Sequence, residues 1–144
     1  LARNNSQKYS TSWEKHIYVK DSSIHGKGIF SSVKIPEDSL VMVIKGEVID
    51  GFECERREEE ENNVYIFWNG DYYIDTFKTE KIKYINHDCD PNCVVLDRDD
   101  KSLNLVSLRV IEPGEEITMD YGYEEIYENC SCRTCAAKAK VVLE

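Results

Sequence analysis

Nowhere in the 144 residues is there an apolar run longer than the five residues of LVMVI at 40–44. That is about a quarter of the ~20 residues a membrane helix needs, so nothing here is expected to span a bilayer. Basic residues are also short: 18 Lys+Arg stand against 28 Asp+Glu, a formal charge of -10. Neutralising phosphates takes an excess of Lys and Arg on one face, so neither sequence-independent nor sequence-specific nucleic-acid binding is expected, and a basic partner suits the chain better. No apolar stretch opens the sequence, which argues against a secreted protein, and the first residue, Leu1, reads as the start of a fragment. There is no internal repeat.

What is present fits one globular domain. The apolar set makes up 41% and charged residues 32%, somewhat polar yet too rich in Ile, Val, Leu and Tyr for a disordered chain. Residues 1–12, LARNNSQKYSTS, are polar and aperiodic and read as a flexible lead-in, with order starting near Trp13. From there short β-rich stretches alternate with turn residues: 16–20, 28–33, 39–44, 64–68, 72–76, 93–97, 103–111 and 116–121. The expected class is mainly β. Asn69-Gly70 suits a tight hairpin turn, with Asp71 leaving the loop length open. ECERREEEE at 53–61 fits a short exposed helix, and 77–83 one or two helical turns. A charge run of that kind is ordinarily a solvated face, and a substrate-facing role is the less common alternative.

The cysteines suggest a metal. Cys130, Cys132 and Cys135 form C-x-C-x2-C near the end of the chain, and Cys89 and Cys93 lie in NHDCDPNC. Three thiolates this close can share one tetrahedral Zn²⁺, and either Cys89 or Cys93 can supply the fourth. Binding would then order a terminal segment that has almost no core of its own. Disulfides or reduced buried thiols are the competing assignment, weakened by the missing signal peptide. Cys54 is left as a spare thiol.

Three further segments are bland singly and informative together: HGKGIF at 25–30, YINHDCDPN at 84–92 and PGEEITMDYGY at 113–123. In order and spacing they resemble the SET-domain protein lysine methyltransferases, which carry a Gly-x-Gly turn, then Asn-His-x-Cys-x-Pro-Asn, then Glu-(Leu/Ile)-Thr-x-Asp-Tyr. GEVI at 46–49 and IDT at 74–76 ahead of KYINH fit the same pattern. The resemblance extends over about 22 to 135, and the cysteine cluster looks like a post-SET zinc motif.

What the resemblance implies is specific. The fold would be several small β-sheets with short helices, a knot-like C-terminal segment and a zinc-bound tail, divided as a catalytic domain over 13–124 and a post-SET segment over 125–144. Gly26, Lys27, Gly28, Tyr65, Asn86, His87 and Tyr121 would hold S-adenosylmethionine, with S-adenosylhomocysteine as product, and Tyr121 would be catalytic. Ile44, Met119 and Tyr123 would line the substrate channel; Cys89, Cys130, Cys132 and Cys135 would be the zinc ligands. The partner would be a basic lysine-containing protein, a histone tail or nucleosome above all, and the location nuclear chromatin in a eukaryote or otherwise the cytoplasm.

The chemistry agrees. Methyl transfer from sulfonium to amine is an in-line displacement in which alignment alone is worth roughly 7–11 kcal/mol. A free lysine, with a pKa near ~10.4, must lose its proton, and a narrow apolar channel beside a positive sulfonium favours that loss. Two departures stand out: Ile44 replaces a tyrosine common in the family, and Met119 replaces a Phe or Tyr two residues before Tyr121. With no hydroxyl there to order a water, the expected channel does not stop at one methyl. The same departures motivate an alternative, a non-catalytic module that binds peptide or cofactor.

Overall fold

The computed structural model describes residues 9–121. Ten strands form three small sheets: β1 (Ile17–Asp21), β2 (Lys27–Ser31), β3 (Leu40–Ile44), β4 (Glu47–Ile49), β5 (Ile66–Asn69), β6 (Tyr72–Asp75), β7 (Asn86–His87), β8 (Cys93–Asp97), β9 (Leu103–Ser107) and β10 (Glu116–Met119). One α-helix, α1 (Gly51–Glu60), follows β4. The sheet orders are β1-β2-β10-β7, β3-β9-β8 and β4-β6-β5. The mainly β expectation holds. No described helix is long and apolar enough to cross a membrane.

The sheets meet at one apolar core. Ile29 and Ile117 come from the first sheet, Met42, Ile44 and Leu105 from the second and Ile74 from the third, each essentially without exposed surface. Full burial of such a side chain is worth about 1.5–3 kcal/mol. β2 is buried along almost its whole length because it is covered on both faces, which explains its unbroken apolar GIF. A second small cluster joins Leu40 and Val106 to Tyr9, whose hydroxyl donates to Asp38 Oδ1 at 2.6 Å. Tyr9 falls inside the stretch expected to be a flexible lead-in, yet it is buried.

Other differences have local causes. In the β5–β6 hairpin Asn69 pairs with Tyr72, so the two-residue loop is Gly70-Asp71 rather than Asn69-Gly70. The positive φ of +65° falls on Gly70 alone, which lacks the Cβ that would oppose it. Residues 103–111 end their strand at Ser107, and Ile111 makes only an isolated bridge to Ile35. Of 77–83 only Ile82 and Lys83 are helical, within the single 3-10 turn Ile82–Tyr84. The helix starts two residues earlier than expected, because the Asp50 side chain caps it by accepting from the Glu53 backbone N–H at 2.9 Å.

β10 positions the site. It enters between β2 and β7, antiparallel to the first and parallel to the second, with Thr118 beside Asn86 and Met119 beside His87. Fully buried Asn92 clasps it: Asn92 Nδ2 donates to Glu116 O at 2.8 Å, and Oδ1 accepts from the Thr118 N–H at 2.9 Å. The Pro-Asn at the end of the 84–92 segment thus has a structural task. It holds the threaded strand.

Candidate active site

Where β7 and β10 run side by side, their ends bring Ile85, Asn86, His87 and Tyr121 together. The Tyr121 hydroxyl donates to the Ile85 carbonyl at 2.6 Å, and the Tyr121 N–H donates to His87 Nδ1 at 3.0 Å. With Nδ1 accepting, the neutral ring carries its proton on Nε2, which faces Cys89 Sγ at 3.2 Å. The two rings lie 5.2 Å apart, tilted. Tyr121 is half-exposed while its oxygen is tied down, so a hydroxyl of fixed orientation stands beside a carbonyl at the surface.

The 22–28 loop closes the other side. Its ends meet through the Ser22 N–H donating to Gly26 O at 2.8 Å, and Gly26 takes a φ of +47°. The His25 and Lys27 carbonyls then both accept from Asn86 Nδ2 at 3.1 Å. Gly28 has no room for a side chain: a Cβ there would strike the Glu116 carboxylate and stand 3.2 Å from Asn86 Nδ2. The structure therefore joins Gly26, Lys27, Gly28, Asn86, His87 and Tyr121 in one place. The close approach at Gly28 is that of the Glu116 and Asn86 side chains.

Other expected residues sit apart. Ile44 has no exposed surface and packs in the main core, where it can only back a channel wall. Met119 is half-buried on β10 against the same core. Tyr65 belongs to an aromatic group with Phe77 and Tyr84, whose ring centroids lie 5.1, 4.3 and 5.3 Å from Lys83 Nζ. Tyr123 and the cysteines Cys130, Cys132 and Cys135 lie outside the described residues. Among the described residues no group of three His, Cys, Asp or Glu could hold a metal. Cys93 is buried on β8, and burial pushes its thiol up to about 12; Cys54, raised by burial and then by Glu58, reaches about 11. Both are inert thiols. Cys89 is half-buried and faces His87.

Ser22 and Ile85 also shape the site without standing out in the sequence; Ile85 acts through its carbonyl, which no side-chain pattern marks. Asn92 and Glu116 belong to the signature segments but were given no role there; Glu116, on the face of β10 opposite Ile117 and Met119, is buried against Ser22 and Asn86.

A cavity of about 460 Å³ lies against α1, lined by Gly46, Glu47, Arg56, Arg57, Phe77 and Lys78 among others. Arg57 is its hub: its guanidinium reaches Asp75 at 2.7 Å, Glu53 at 2.7 Å and Glu47 at 2.9 Å. Burial pushes the Asp75 carboxyl up, but the Phe77 N–H, Arg57 and Asn63 outweigh it and hold the group below its ordinary value. Arg56 and Arg57 hold the exposed Glu53 down at about 2. Both arginines are engaged by carboxylates, and the cavity lining balances Arg56, Arg57 and Lys78 against Glu47, Glu61 and Asp75.

The SET domain family model matches residues 26–122 of the chain. Human "Histone-lysine N-methyltransferase 2D" is 35% identical over 124 residues, covering 79% of this chain and 2% of that protein. "Histone-lysine N-methyltransferase Set2" of Drosophila melanogaster is 39% identical over 108 residues, covering 68% of this chain and 5% of the relative. The "Variant-silencing SET domain-containing protein" of Plasmodium falciparum (isolate 3D7) is 31% identical over 138 residues, covering 86% and 5%. The chain thus spans between 2% and 5% of the length of these relatives.

Proposed function

The chain belongs to the SET-domain family, and from that premise we propose that it is a protein-lysine N-methyltransferase using S-adenosylmethionine. Two relatives are named for histone lysine, and the charge of -10 suits a Lys-rich tail, so a histone or nucleosome is the proposed substrate and nuclear chromatin the proposed location. The carrying observation is the β7–β10 junction, where Tyr121 and the Ile85 carbonyl stand next to Asn86 and His87.

The residues present fit the cofactor. What supports this is the loop itself: Gly28 lacks the Cβ that would displace Glu116 and Asn86, Gly26 turns the chain at a φ of +47°, and Asn86 and His87 stand beside it. Bound there, S-adenosylmethionine supplies a methyl group activated by its positive sulfonium. Tyr121, oriented through Ile85, accepts a contact from the polarised methyl and aligns the incoming amine, and its ring face steadies a methylammonium product by about 0.5–2 kcal/mol. Transfer breaks the carbon–sulfur bond, forms the carbon–nitrogen bond, and releases the amine proton to water beforehand. Met119 offers no hydroxyl that would order a water, so the proposed product goes beyond monomethyl-lysine. For zinc we propose Cys89 with Cys130, Cys132 and Cys135; the inaccessibility of Cys93 supports Cys89 as the fourth thiolate.

A radiolabelled methyl-transfer assay on core histones tests this. We expect transfer by the wild type and a loss of about 10²-fold or more with Tyr121→Phe. Equal activity of the two proteins would remove Tyr121 from the chemistry, and a wild type that neither binds cofactor nor transfers methyl would overturn the proposal. Elemental analysis returning no zinc would remove the metal site.

A further inference from the structure

Behind Asn86 lies a buried anion that the proposed function does not use. Glu116 is 5% exposed, and both its oxygens are engaged: Oε1 accepts from the Ser22 hydroxyl at 2.7 Å and Oε2 from Asn86 Nδ2 at 2.8 Å. Both contacts are donors, so the group serves as a carboxylate. Among the described residues no Lys, Arg or His nitrogen pairs with it, in contrast to Asp75 and its Arg57. Burying a carboxylate without a cation is costly, and such groups persist where a fixed negative potential has a use.

The same carboxylate fixes the Asn86 amide. Nδ2 is ringed by three carbonyl and carboxylate oxygens, His25 O, Lys27 O and Glu116 Oε2, with the Ser22 hydroxyl oxygen a fourth contact at 3.2 Å. Turning the amide over would set Oδ1 against three oxygens. Oδ1 must therefore face away, where it takes no donor from the described residues and is not sealed from solvent. An acceptor polarised by an anion behind it favours a donor that carries positive charge. Gly28 makes the relay possible, since any Cβ there would push the carboxylate off the amide.

Resting on the cofactor reading above, we propose that Glu116 is a positioning residue which acts through Asn86 to make the site selective for a ligand bearing a cationic amino group. The effect is on recognition of that ammonium, not on the reacting methyl. Calorimetry with S-adenosylhomocysteine and with the analogue lacking only the α-amino group separates the two ideas. Wild type should favour the amino-bearing ligand by about 10-fold or more, and Glu116→Gln should lose about 10-fold for it while changing less than about 3-fold for the deamino analogue.

Equal losses for both ligands would make Glu116 merely structural, and an undiminished preference would overturn the relay. Should Glu116→Gln fail to fold, the wild type still decides: the Asn86 side-chain amide resonances should shift with S-adenosylhomocysteine and stay nearly unmoved with the analogue. If they respond alike, the inference fails. Wild type binding neither ligand would instead remove the cofactor reading itself, and this inference with it.

Discussion

Two carboxylates of the molecule are held in opposite ways. Glu116 sits at the strand junction and meets only neutral donors, Ser22 and Asn86. Asp75 sits beneath α1 and meets a guanidinium, Arg57, which is itself shared with Glu47 and Glu53. The first region is built from buried hydrogen bonds to strand ends and loop carbonyls, the second from ion pairs that reach the surface. Neutral, buried contacts fix geometry and respond little to salt; charged, half-exposed ones tune a surface and respond to salt and pH. The residues proposed for chemistry are in the first region, and the cavity against α1, with its balanced charges, is in the second.

The comparison can be broken most severely at Asn92. Removing its side chain in Asn92→Ala leaves the Thr118 N–H and Glu116 O of a buried strand without partners, at a cost of about 3–4 kcal/mol. Thermal denaturation should show a drop of roughly 10 °C or more, the same in low and high salt. A salt-dependent loss would mean that the junction is not the neutral device described.

A smaller effect belongs to Arg57→Met, which strands buried Asp75 without its cation at a cost of about 2 kcal/mol. The pH dependence gives the signature. Asp75, Glu47 and Glu53 all lie below their ordinary values of 3.8, 4.5 and 4.5, so the stability they lend is complete above those values and fades as pH falls through the depressed ones. The gap in melting temperature between wild type and variant should therefore be widest above about pH 5 and narrow toward pH 2. A gap that ignores pH would assign the loss to packing instead.

The least effect is expected from Arg56→Ala. Its partners Glu53, Glu60 and Glu61 are exposed or nearly so, and the change in melting temperature should stay within about 2 °C at moderate salt. A larger drop would show that the helix depends on its surface charges, since Cys54 is its only buried residue.

The two regions also differ in how legible they were. Strand patterning located β8 at 93–97 to the residue, and short signature segments pointed to Gly26, Gly28, Asn86, His87 and Tyr121, because a left-handed turn, a crowded backbone, an amide and a terminal hydroxyl each demand a residue type. Glu116 opens the Glu-Ile-Thr-Met-Asp-Tyr segment, but its role was not legible, since charge alone reads as surface and only the tertiary contacts with Ser22 and Asn86 bury it. Ile85 contributes a backbone atom. The α1 segment was seen as an exposed charged helix, but the carboxylates that converge on Arg57 come from β4 and β6, brought in by tertiary pairing that no window of sequence contains.

The threading of β10 sets an order of events. Ile117 pairs with Ile29, and that contact can form only after nearly all of the intervening chain has been made and arranged. Long-range pairings of this kind are slow to find, since loop closure precedes any reward. During synthesis β1 and β2 lack their third neighbour until β10 emerges. The tyrosine proposed as catalytic follows that strand, so competence for chemistry would wait for it, and a chain halted before it would be silent.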